Sequence, residues 1–343
     1  MTPSTKRPTS YDVARLAGVS RTTVSLVLNN VQTVHISPET RRKVLEAARK
    51  LHYFPHASAR RLAQGRTATV ALVWHRGPDV NYRDAFLPAL LQGLTRVLKQ
   101  HDYHLIFRPL EPDEPDEVFL ELARGRYADG LILSGPRAEM PYLEELHQQG
   151  YPLVLHGQIP GTEIPWVDVD NIQGARLAVE HLLGLGHRRI ALITNAPLAY
   201  VASQQRLEGY RQALAAAGVA YDETLVRYGN FDEQSGEEAM RSLLALEEPP
   251  TAVFVASDMV ALGALKAIWD RGLRVPHDIA LVGFDDITTS RFTTPPLTTV
   301  HVPALRLGEE VGRVLLDVIE FGFTSQPQTL LQTTLVVRAS CGA

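Results

Sequence analysis

Cysteine is the scarcest residue type in this sequence, with a single copy, Cys341, among 343 residues. One thiol cannot form a disulfide within the chain, which is typical of proteins from a reducing compartment. The sequence also contains no apolar run of 18 residues, and its segment Met1 to Ser10 is polar. We therefore expect no membrane span and no export signal, and we predict a cytoplasmic location.

Motifs of the common enzyme classes are absent as well. The chain has no G-x-S-x-G, no H-E-x-x-H and no G-x-x-x-x-G-K-[ST] sequence. The nearest glycine motif, Gly184 to Arg189, follows a helical pattern and precedes a strand pattern, which is the wrong order for holding a phosphate. The twelve histidines form no cluster with ligand spacing. These absences predict a protein that is not an enzyme and that needs neither a metal nor a cofactor.

Charge is distributed very unevenly along the chain. The first 66 residues carry 12 Lys and Arg against 3 Asp and Glu, whereas the remainder carries 22 basic against 35 acidic residues. A basic segment attached to an acidic body is typical of a protein that places its N-terminus against a polyanion such as nucleic acid. A basic segment can also be a disordered arm. The residue pattern inside the segment distinguishes a folded nucleic-acid-binding domain from such an arm.

That pattern predicts two short helices joined by a tight turn. Thr9 and Asp12 form a capping box, after which Val13, Leu16 and Ala17 stand on one helical face. Gly18 supplies the left-handed residue that ends this helix, and Ser20 caps a second helix, whose apolar stripe consists of Val24, Val27 and Leu28. Two helices in this arrangement are typical of a helix-turn-helix.

A third helix is predicted to begin at the N-cap Ser37 and to run to about Tyr53. We expect four of its residues to pack inward: Val44, Leu45, Ala48 and Leu51.

From Thr69 onward, strand and helix patterns alternate. Buried parallel strands separated by helical stretches predict a doubly wound α/β body. About 275 residues and seven or more such strands suit two lobes rather than one. The predicted strands are Val70 to Trp74, Leu105 to Phe107, Gly130 to Leu133, Leu153 to Leu155, Ile190 to Ile193, Ala252 to Val255 and Ile279 to Val282.

Several motifs, in order along nearly the whole chain, make it resemble the LacI/GalR family of transcriptional regulators. They are Tyr11 to Asn29, Tyr53 to Ala63, Leu185 to Ala191, Gly283 to Asp286 and Pro295 to Val300. The resemblance implies a helix-turn-helix head in 1–54, a hinge helix and linker in 55–66, and a two-lobed periplasmic-binding-protein-like body in 67–343. It also implies that the chain crosses between the lobes near Trp166 to Asp170, near Thr288 to Thr294 and near Ser325 to Gln328.

In such a head, the second helix lies in the major groove of DNA, and its first turn contacts base edges. We expect sequence readout by Arg21 and Thr22, with phosphate contact as the alternative for Arg21. Leu26 stands where many relatives carry an arginine, so it contacts at most a thymine methyl group. Further family positions are predicted to contact DNA, with solvated or capping roles as the alternative: Tyr11, Ser20, Thr23, Ser25, Asn29 and His35.

The hinge, residues His56 to Gln64, is too short to be helical alone in water. The resemblance implies that it folds in the minor groove, where Leu62 wedges between two base pairs and Arg60 and Arg61 add phosphate or groove contacts. The alternative for Leu62 is packing against the body.

The resemblance further places a small-molecule effector in the cleft between the lobes. Arg206 and Asp285 are expected to bind its polar groups, and Phe86 and Phe231 to contact an apolar ring face. Alternatively, Arg206 forms a structural ion pair with Asp285 or Asp258, and the phenylalanines belong to the core. The remaining predicted cleft residues are Ser134, His156, Ser257 and Asp258.

These features together predict a sequence-specific repressor controlled by a sugar or sugar derivative. Recognition of a pseudo-palindromic operator in double-stranded DNA requires two heads, so we expect a homodimer. One alternative is a corepressor-dependent repressor that binds a nucleobase-like ligand. An exported sugar-binding protein and an architectural DNA-bending protein are weaker alternatives, because the first needs an export signal and the second has no use for a two-lobed body.

Overall fold

The computed structural model describes residues 8–28, 34–53, 66–74, 86–110, 118–323 and 328–343. The chain divides into two compact units, Met1–Ala68 and Thr69–Ala343. Within the described ranges, no helix is long and apolar enough to cross a membrane.

The first unit contains three described helices: α1 Ser10–Ala17, α2 Arg21–Leu28 and α3 Pro38–Lys50. The predicted caps are present: the amide and hydroxyl of Thr9 both donate to the Asp12 carboxylate, and Gly18 has a φ of 67°. The Ser20 hydroxyl accepts from the amide of Thr23 at 3.1 Å. The predicted helix-turn-helix is therefore confirmed.

Two details of this unit differ from the prediction. Leu16 is 51% exposed and Leu45 is 38% exposed, whereas Ala14 and Ala47 are buried. In α3 the buried stripe starts at Val44 and follows the helical spacing of three and four residues, which turns the adjacent Leu45 outward. The helix also ends at Lys50, earlier than predicted.

The second unit contains two six-stranded sheets. The first has the order β11-β5-β4-β3-β1-β2 and is entirely parallel, and the second has the order β12-β10-β9-β8-β6-β7 with only β12 antiparallel. Their strands are β1 Thr69–Trp74, β2 His104–Pro109, β3 Gly130–Ser134, β4 Leu153–His156, β5 Trp166–Val169, β6 Ile190–Ile193, β7 Val226–Arg227, β8 Ala252–Val255, β9 Ala280–Asp285, β10 Thr298–His301, β11 Gln328–Leu331 and β12 Thr334–Val336.

Each sheet is packed with helices and forms one lobe. The described helices of the first lobe are α4 Phe86–Gln100, α5 Val118–Arg124, α6 Pro141–Gln148 and α11 Ala304–Phe321. Those of the second lobe are α7 Asn171–Gly184, α8 Val201–Ala216, α9 Glu233–Leu244 and α10 Asp258–Asp270. The predicted two-lobed α/β body is confirmed, and each of the seven predicted strands is present.

The chain crosses between the lobes three times, but two of the crossings lie later than predicted. The first falls between β5 and α7, as expected. The second follows β10 at residues 302–303, not Thr288 to Thr294, because the segment after β9 forms a short 3-10 helix and then returns to the second sheet. The third joins β11 to β12 at residues 332–333, because β11 still pairs with β5 of the first sheet.

Glycine allows one helix pair in each lobe to pack very closely. A Cβ atom on Gly308 of α11 would lie 2.1 Å from the carbonyl oxygen of Leu90 in α4, and one on Gly263 of α10 would lie 1.7 Å from that of Glu233 in α9. Backbone oxygens cannot move aside as the end of a long side chain does. At these two positions only glycine lets the backbones of the paired helices approach so closely.

We expect Gly308→Ala to lower the free energy of unfolding by about 2 kcal/mol or more, because the added methyl group overlaps the α4 backbone. Gly184→Ala, at the exposed end of α7 with open space around its Cβ position, is the control and should raise that free energy by roughly 0.5 kcal/mol. Urea unfolding measures both changes. Equal effects of the two substitutions would contradict the close helix packing.

Candidate functional site

The exposed face of α2 carries the residues predicted to read DNA bases. Arg21 and Thr22 are exposed in its first turn, whereas Val24 and Val27 are buried against the other two helices of the unit. Leu26 is half-buried. The structure therefore leaves Arg21 and Thr22 accessible to a groove, while Leu26 presents only part of its side chain.

The other predicted DNA contacts of this unit are distributed around α2. Tyr11 is 61% exposed on α1, and Ser25 and His35 are exposed as well. Ser20 and Thr23 bond to each other through their hydroxyls at 2.9 Å, so the capping role considered for them is present in the structure. Four further predicted contacts lie outside the described residues: Asn29, Arg60, Arg61 and Leu62.

A cavity lies between the two lobes at the carboxyl ends of their parallel strands, where ligand sites of open α/β sheets occur. Its empty space, including the part that is open to solvent, is about 700 Å³. Six predicted effector residues line it: Phe86, His156, Arg206, Phe231, Ser257 and Asp285. Further lining residues that sequence reasoning did not identify include Gln158, Asp168, Asn171, Asn195 and Tyr200.

Arg206 is held in a fixed orientation at the centre of the cavity wall. Its Nε donates to the side-chain oxygen of Asn171 at 2.9 Å, and one terminal nitrogen donates to the carbonyl oxygen of Ala256. Its guanidinium group lies over the Phe284 ring, 3.8 Å from the centroid. These contacts orient the planar group before any ligand binds, which suits it to recognise oxygen atoms on a small molecule.

Arg206 and Asp285 also form the ion pair that the sequence left open as an alternative. Their closest nitrogen and oxygen atoms are 3.9 Å apart, which is beyond hydrogen-bond distance, and both side chains are largely buried. The positive charge of Arg206 and the negative charge of Asp285 therefore offset each other, although the two groups are not hydrogen-bonded to each other. A ligand hydroxyl between the two groups would accept from one and donate to the other.

Two cavity residues adopt backbone conformations that are rare for their side chains. Asp285 has a φ of 115° at the end of β9, and Phe231 has a φ of 64° before α9. Non-glycine residues in this region are strained by roughly 1 to 3 kcal/mol and persist where the surroundings fix them. Phe231 packs edge-on against Tyr200, with ring centroids 4.9 Å apart. The strained segments thus place a carboxylate and an aromatic pair on the cavity wall.

Asp258 does not line the cavity, contrary to the prediction. It is completely buried at the start of α10, where its carboxylate accepts hydrogen bonds from the amide of Ile287 and from the hydroxyls of Ser290 and Thr299. A Cβ atom on Gly283 would lie 2.1 Å from this carboxylate. Asp258 therefore anchors the loop that follows Asp285 instead of facing a ligand.

Burial raises the pKa of Asp258 to about 7, and the nearby charge of Asp285 adds to this rise. Hydrogen bonds from Ser290, Thr299 and the Ile287 amide oppose it. A carboxyl group in this environment is partly protonated near neutral pH.

Ser134 is likewise completely buried and does not line the cavity. Its hydroxyl lies 2.6 Å from Nδ1 of His156, and the His156 ring stacks on Phe86 with centroids 5.8 Å apart and an interplanar angle of 12°. Ser134 thus orients His156, which does face the cavity.

Main chain from both lobes meets beside the cavity. Arg137 of the first lobe forms an isolated antiparallel bridge with Tyr200 of the second. The amide of Ala138 donates to the carbonyl of Ala199 at 3.2 Å, and the Arg137 guanidinium lies 5.7 Å from the Tyr200 ring centroid. The two lobes therefore contact each other directly beside the cavity, and we call this the closed arrangement.

Sequence comparison and fold comparison give the same result. The family model for bacterial regulatory proteins of the lacI family matches residues 9–56, and that for a periplasmic binding protein-like domain matches residues 179–341. The HTH-type transcriptional regulator CelR of Thermobifida fusca is 39% identical over 338 residues, which cover 98% of both chains.

Two solved structures extend this similarity. The transcriptional regulator CelR–cellobiose complex has a TM-score of 0.75 at 39% identity, covering 97% of this chain and 100% of that one. The lac repressor dimer bound to operator and the anti-inducer ONPF has a TM-score of 0.85 at 30% identity, covering 98% and 100%. The chain belongs to the LacI family of bacterial regulatory proteins. It is a DNA-binding transcriptional regulator with a helix-turn-helix head and a periplasmic-binding-protein-like body.

Among the described residues, no group of three or more His, Cys, Asp or Glu side chains is arranged to hold a metal ion. The relatives are transcription regulators and not enzymes.

We expect Asp258→Asn to remove part of the pH dependence of stability. Because the pKa of Asp258 is raised to about 7 in the folded protein, its contribution is present at low pH and is lost as the pH rises through 7. Between pH 6 and pH 8 the wild type should lose roughly 1 kcal/mol of unfolding free energy that the variant keeps. Asparagine fits the site, since it can accept from Ile287 and donate to the Thr299 hydroxyl.

Urea unfolding at both pH values measures this difference. Asp317→Asn, which removes an exposed carboxylate of α11, is the control and should track the wild type. Identical pH profiles for the wild type and Asp258→Asn would show that Asp258 is charged throughout this range.

Proposed function

We propose that this protein is a repressor that binds operator DNA as a homodimer and is controlled by a neutral sugar bound between its lobes. The observation that carries the proposal is the cavity wall, on which Arg206 and Asp285 alternate with the rings of Phe86, Tyr200 and Phe231. The similar CelR structure is a complex with cellobiose, and the similar lac repressor structure is a dimer on its operator. A DNA-binding protein of this kind acts in the bacterial cytoplasm.

The chemistry of the cavity favours a sugar. A pyranose presents hydroxyl groups at its edge and apolar C–H groups on its faces, so it needs hydrogen-bonding groups beside flat apolar surfaces. Arg206 supplies donors and Asp285 supplies acceptors, and the side chains of Gln158 and Asn195 supply both. Phe231 and Tyr200 supply a rigid aromatic pair next to them.

The head is proposed to read the operator through the first turn of α2. Arg21 is exposed there and can bond to guanine through two parallel hydrogen bonds. Two heads related by twofold symmetry would read the two halves of a pseudo-palindrome, which is why a dimer is needed. Bending by the Leu62 wedge stays a prediction from the sequence, as do the boundaries 1–54, 55–66 and 67–343.

We expect Arg21→Ala to weaken operator binding by roughly 10- to 100-fold and to relax the preference at one base pair, because a bidentate base contact contributes about 1 to 3 kcal/mol. Leu26→Arg should change the preferred base at a different operator position. Lys99→Ala, on α4 of the body, is the control. Selection from random operators gives the consensus sites, and unchanged consensus sites for both head variants would contradict base readout by α2.

We expect Asp285→Asn to weaken sugar binding by roughly 10- to 100-fold while leaving operator affinity without sugar unchanged, because one charge-assisted hydrogen bond to a hydroxyl is lost. Calorimetric titration with cellobiose, other neutral disaccharides, ribose and nucleosides measures the affinity of the cavity for each compound. Asp278→Asn, which removes an exposed carboxylate in a loop of the second lobe, is the control. Binding of a nucleoside but of no sugar would show that the proposed ligand class is wrong.

A further inference from the structure

Four polar side chains form a closed ring of hydrogen bonds at the edge of the cavity, where the chain first passes from one lobe to the other. Gln158 and Asp168 belong to the first lobe, and Asn171 and Gln205 belong to the second. We call this set the polar ring. Three of its members, Gln158, Asp168 and Asn171, also line the cavity.

Asp168 accepts two of the four bonds of the polar ring. Its Oδ2 accepts from Nε2 of Gln158 and from Nδ2 of Asn171, both at 3.2 Å. Gln205 completes the ring, because its Nε2 donates to Gln158 at 3.2 Å and its Oε1 accepts from Asn171 at 2.9 Å. The Asp168 carboxylate and the Gln158–Gln205 bond thus both join the two lobes directly.

The polar ring continues into the effector-binding wall. Asn171, which donates to Asp168, uses its side-chain oxygen to accept from Nε of Arg206 at 2.9 Å. The orientation of Asn171 therefore depends on Asp168, and the orientation of Arg206 depends on Asn171. Asp168 can influence a ligand of Arg206 without contacting it.

Asp168 is only 5% exposed in the closed arrangement, and burial raises its pKa to about 6. The Val169 amide, Arg206, Gln158 and Asn171 oppose this rise. The other charged or titratable groups that line the cavity are His156 from β4, Tyr200 at the start of α8 and Asp285 from β9. A protonated Oδ1 is a hydroxyl oxygen that can still accept from the Val169 amide, and Oδ2 keeps both of its lone pairs for the polar ring, so the protonated acid is compatible with closure.

We propose that Asp168 is a positioning residue of the effector cavity: its carboxyl group closes the polar ring across the lobes and, through Asn171, sets the orientation of Arg206. Opening the lobes separates Gln158 and Asp168 from Asn171 and Gln205 and returns the carboxyl group to water. Closure therefore takes up a proton at mildly acidic pH, and closing should become more favourable as the pH falls.

The closing equilibrium can be measured without any ligand. Gln148→Cys and Ala216→Cys provide exposed label sites at the C-terminal ends of α6 and α8. Because these helices begin close after the bridge between Arg137 and Tyr200, we expect closure to shorten the distance between the labels. Between pH 7.5 and pH 5.5 the closed-to-open ratio of the wild type should rise about fourfold, given a pKa of about 6 in the closed form and an ordinary aspartate pKa in the open form.

Asp168→Asn should lower the closed population and abolish this pH response. In Asp168, one carboxyl oxygen accepts from the Val169 amide and the other accepts from Gln158 and Asn171. Asparagine has only one side-chain oxygen, so in either orientation its NH2 group faces one of these donors and cannot accept from it. Asp170→Asn is the matched control, since it removes the same charge two residues away and asparagine still caps α7. A closed population and pH response of Asp168→Asn equal to those of the wild type would overturn the proposal.

A second pair of variants keeps the test valid if Asp168→Asn does not fold. Gln205→Ala removes the half-buried fourth member of the polar ring and should lower the closed population. Gln212→Ala, an exposed glutamine of the same helix that bonds to Glu208, should leave it unchanged. Equal populations for these two variants would likewise overturn the proposal.

A further experiment measures ligand binding with cellobiose as the probe, and it rests on the proposed function. Asp168→Asn should weaken cellobiose binding roughly tenfold through the misplaced Arg206, while Asp170→Asn should bind as the wild type does. If the wild type does not bind cellobiose, the proposed ligand fails, and the label distances still decide whether Asp168 controls closure. Unchanged cellobiose affinity in Asp168→Asn would contradict its link to Arg206.

Discussion

The organisation of the cavity depends on the burial of ionisable side chains at its wall and directly behind it. Arg206, Asp168 and Asp258 are each less than a tenth exposed, and a buried charged or polar group is tolerated only when hydrogen bonds replace its water. Those bonds come from different elements: Asn171 and the β8 end hold Arg206, and the loop after β9 holds Asp258. Satisfying these groups therefore fixes the positions of the loops that form the wall.

The rest of the body makes this arrangement sensitive to a ligand. Each lobe is closely packed, as at Gly308 and Gly263, so a change in the cavity acts on whole lobes joined by three crossings. Among the described residues, groups at the crossings and beside the cavity bond across the gap, including the polar ring and the Arg137–Tyr200 bridge. A ligand that adds contacts in the closed arrangement shifts the balance between arrangements by the free energy of those contacts.

Much of this architecture could be predicted from the sequence because it rests on local patterns. Caps such as Thr9 and Ser20 and the apolar strand runs determine helices and strands without knowledge of the tertiary fold. The unpredicted strands are short, and several are partly polar, such as β5 with Asp168 and β10 with its two threonines. Their strand conformation depends on pairing partners far away in the chain, which no local pattern reveals. The second and third crossings were misplaced for the same reason.

The site was predictable only in part. Arg206, Asp285 and Phe231 were identified through resemblance to a family, and the structure places them on one cavity wall. Asp258 was assigned to the wrong side of that wall, because a carboxylate that binds a ligand and one that anchors a loop have the same appearance in a sequence. Asp168 gave one local signal, a charged residue within the apolar segment Trp166 to Val169, but its partners Asn171 and Gln205 meet it only in the fold.

The most direct measurement is a crystal structure of the protein with cellobiose, or with the neutral sugar that titration identifies, bound at saturating concentration. We predict sugar hydroxyls within hydrogen-bond distance of Arg206 and Asp285, a ring face against Phe231, and closed lobes with the Asp168 bonds intact. A sugar bound elsewhere, or in the cavity without contact to either charged side chain, would contradict it.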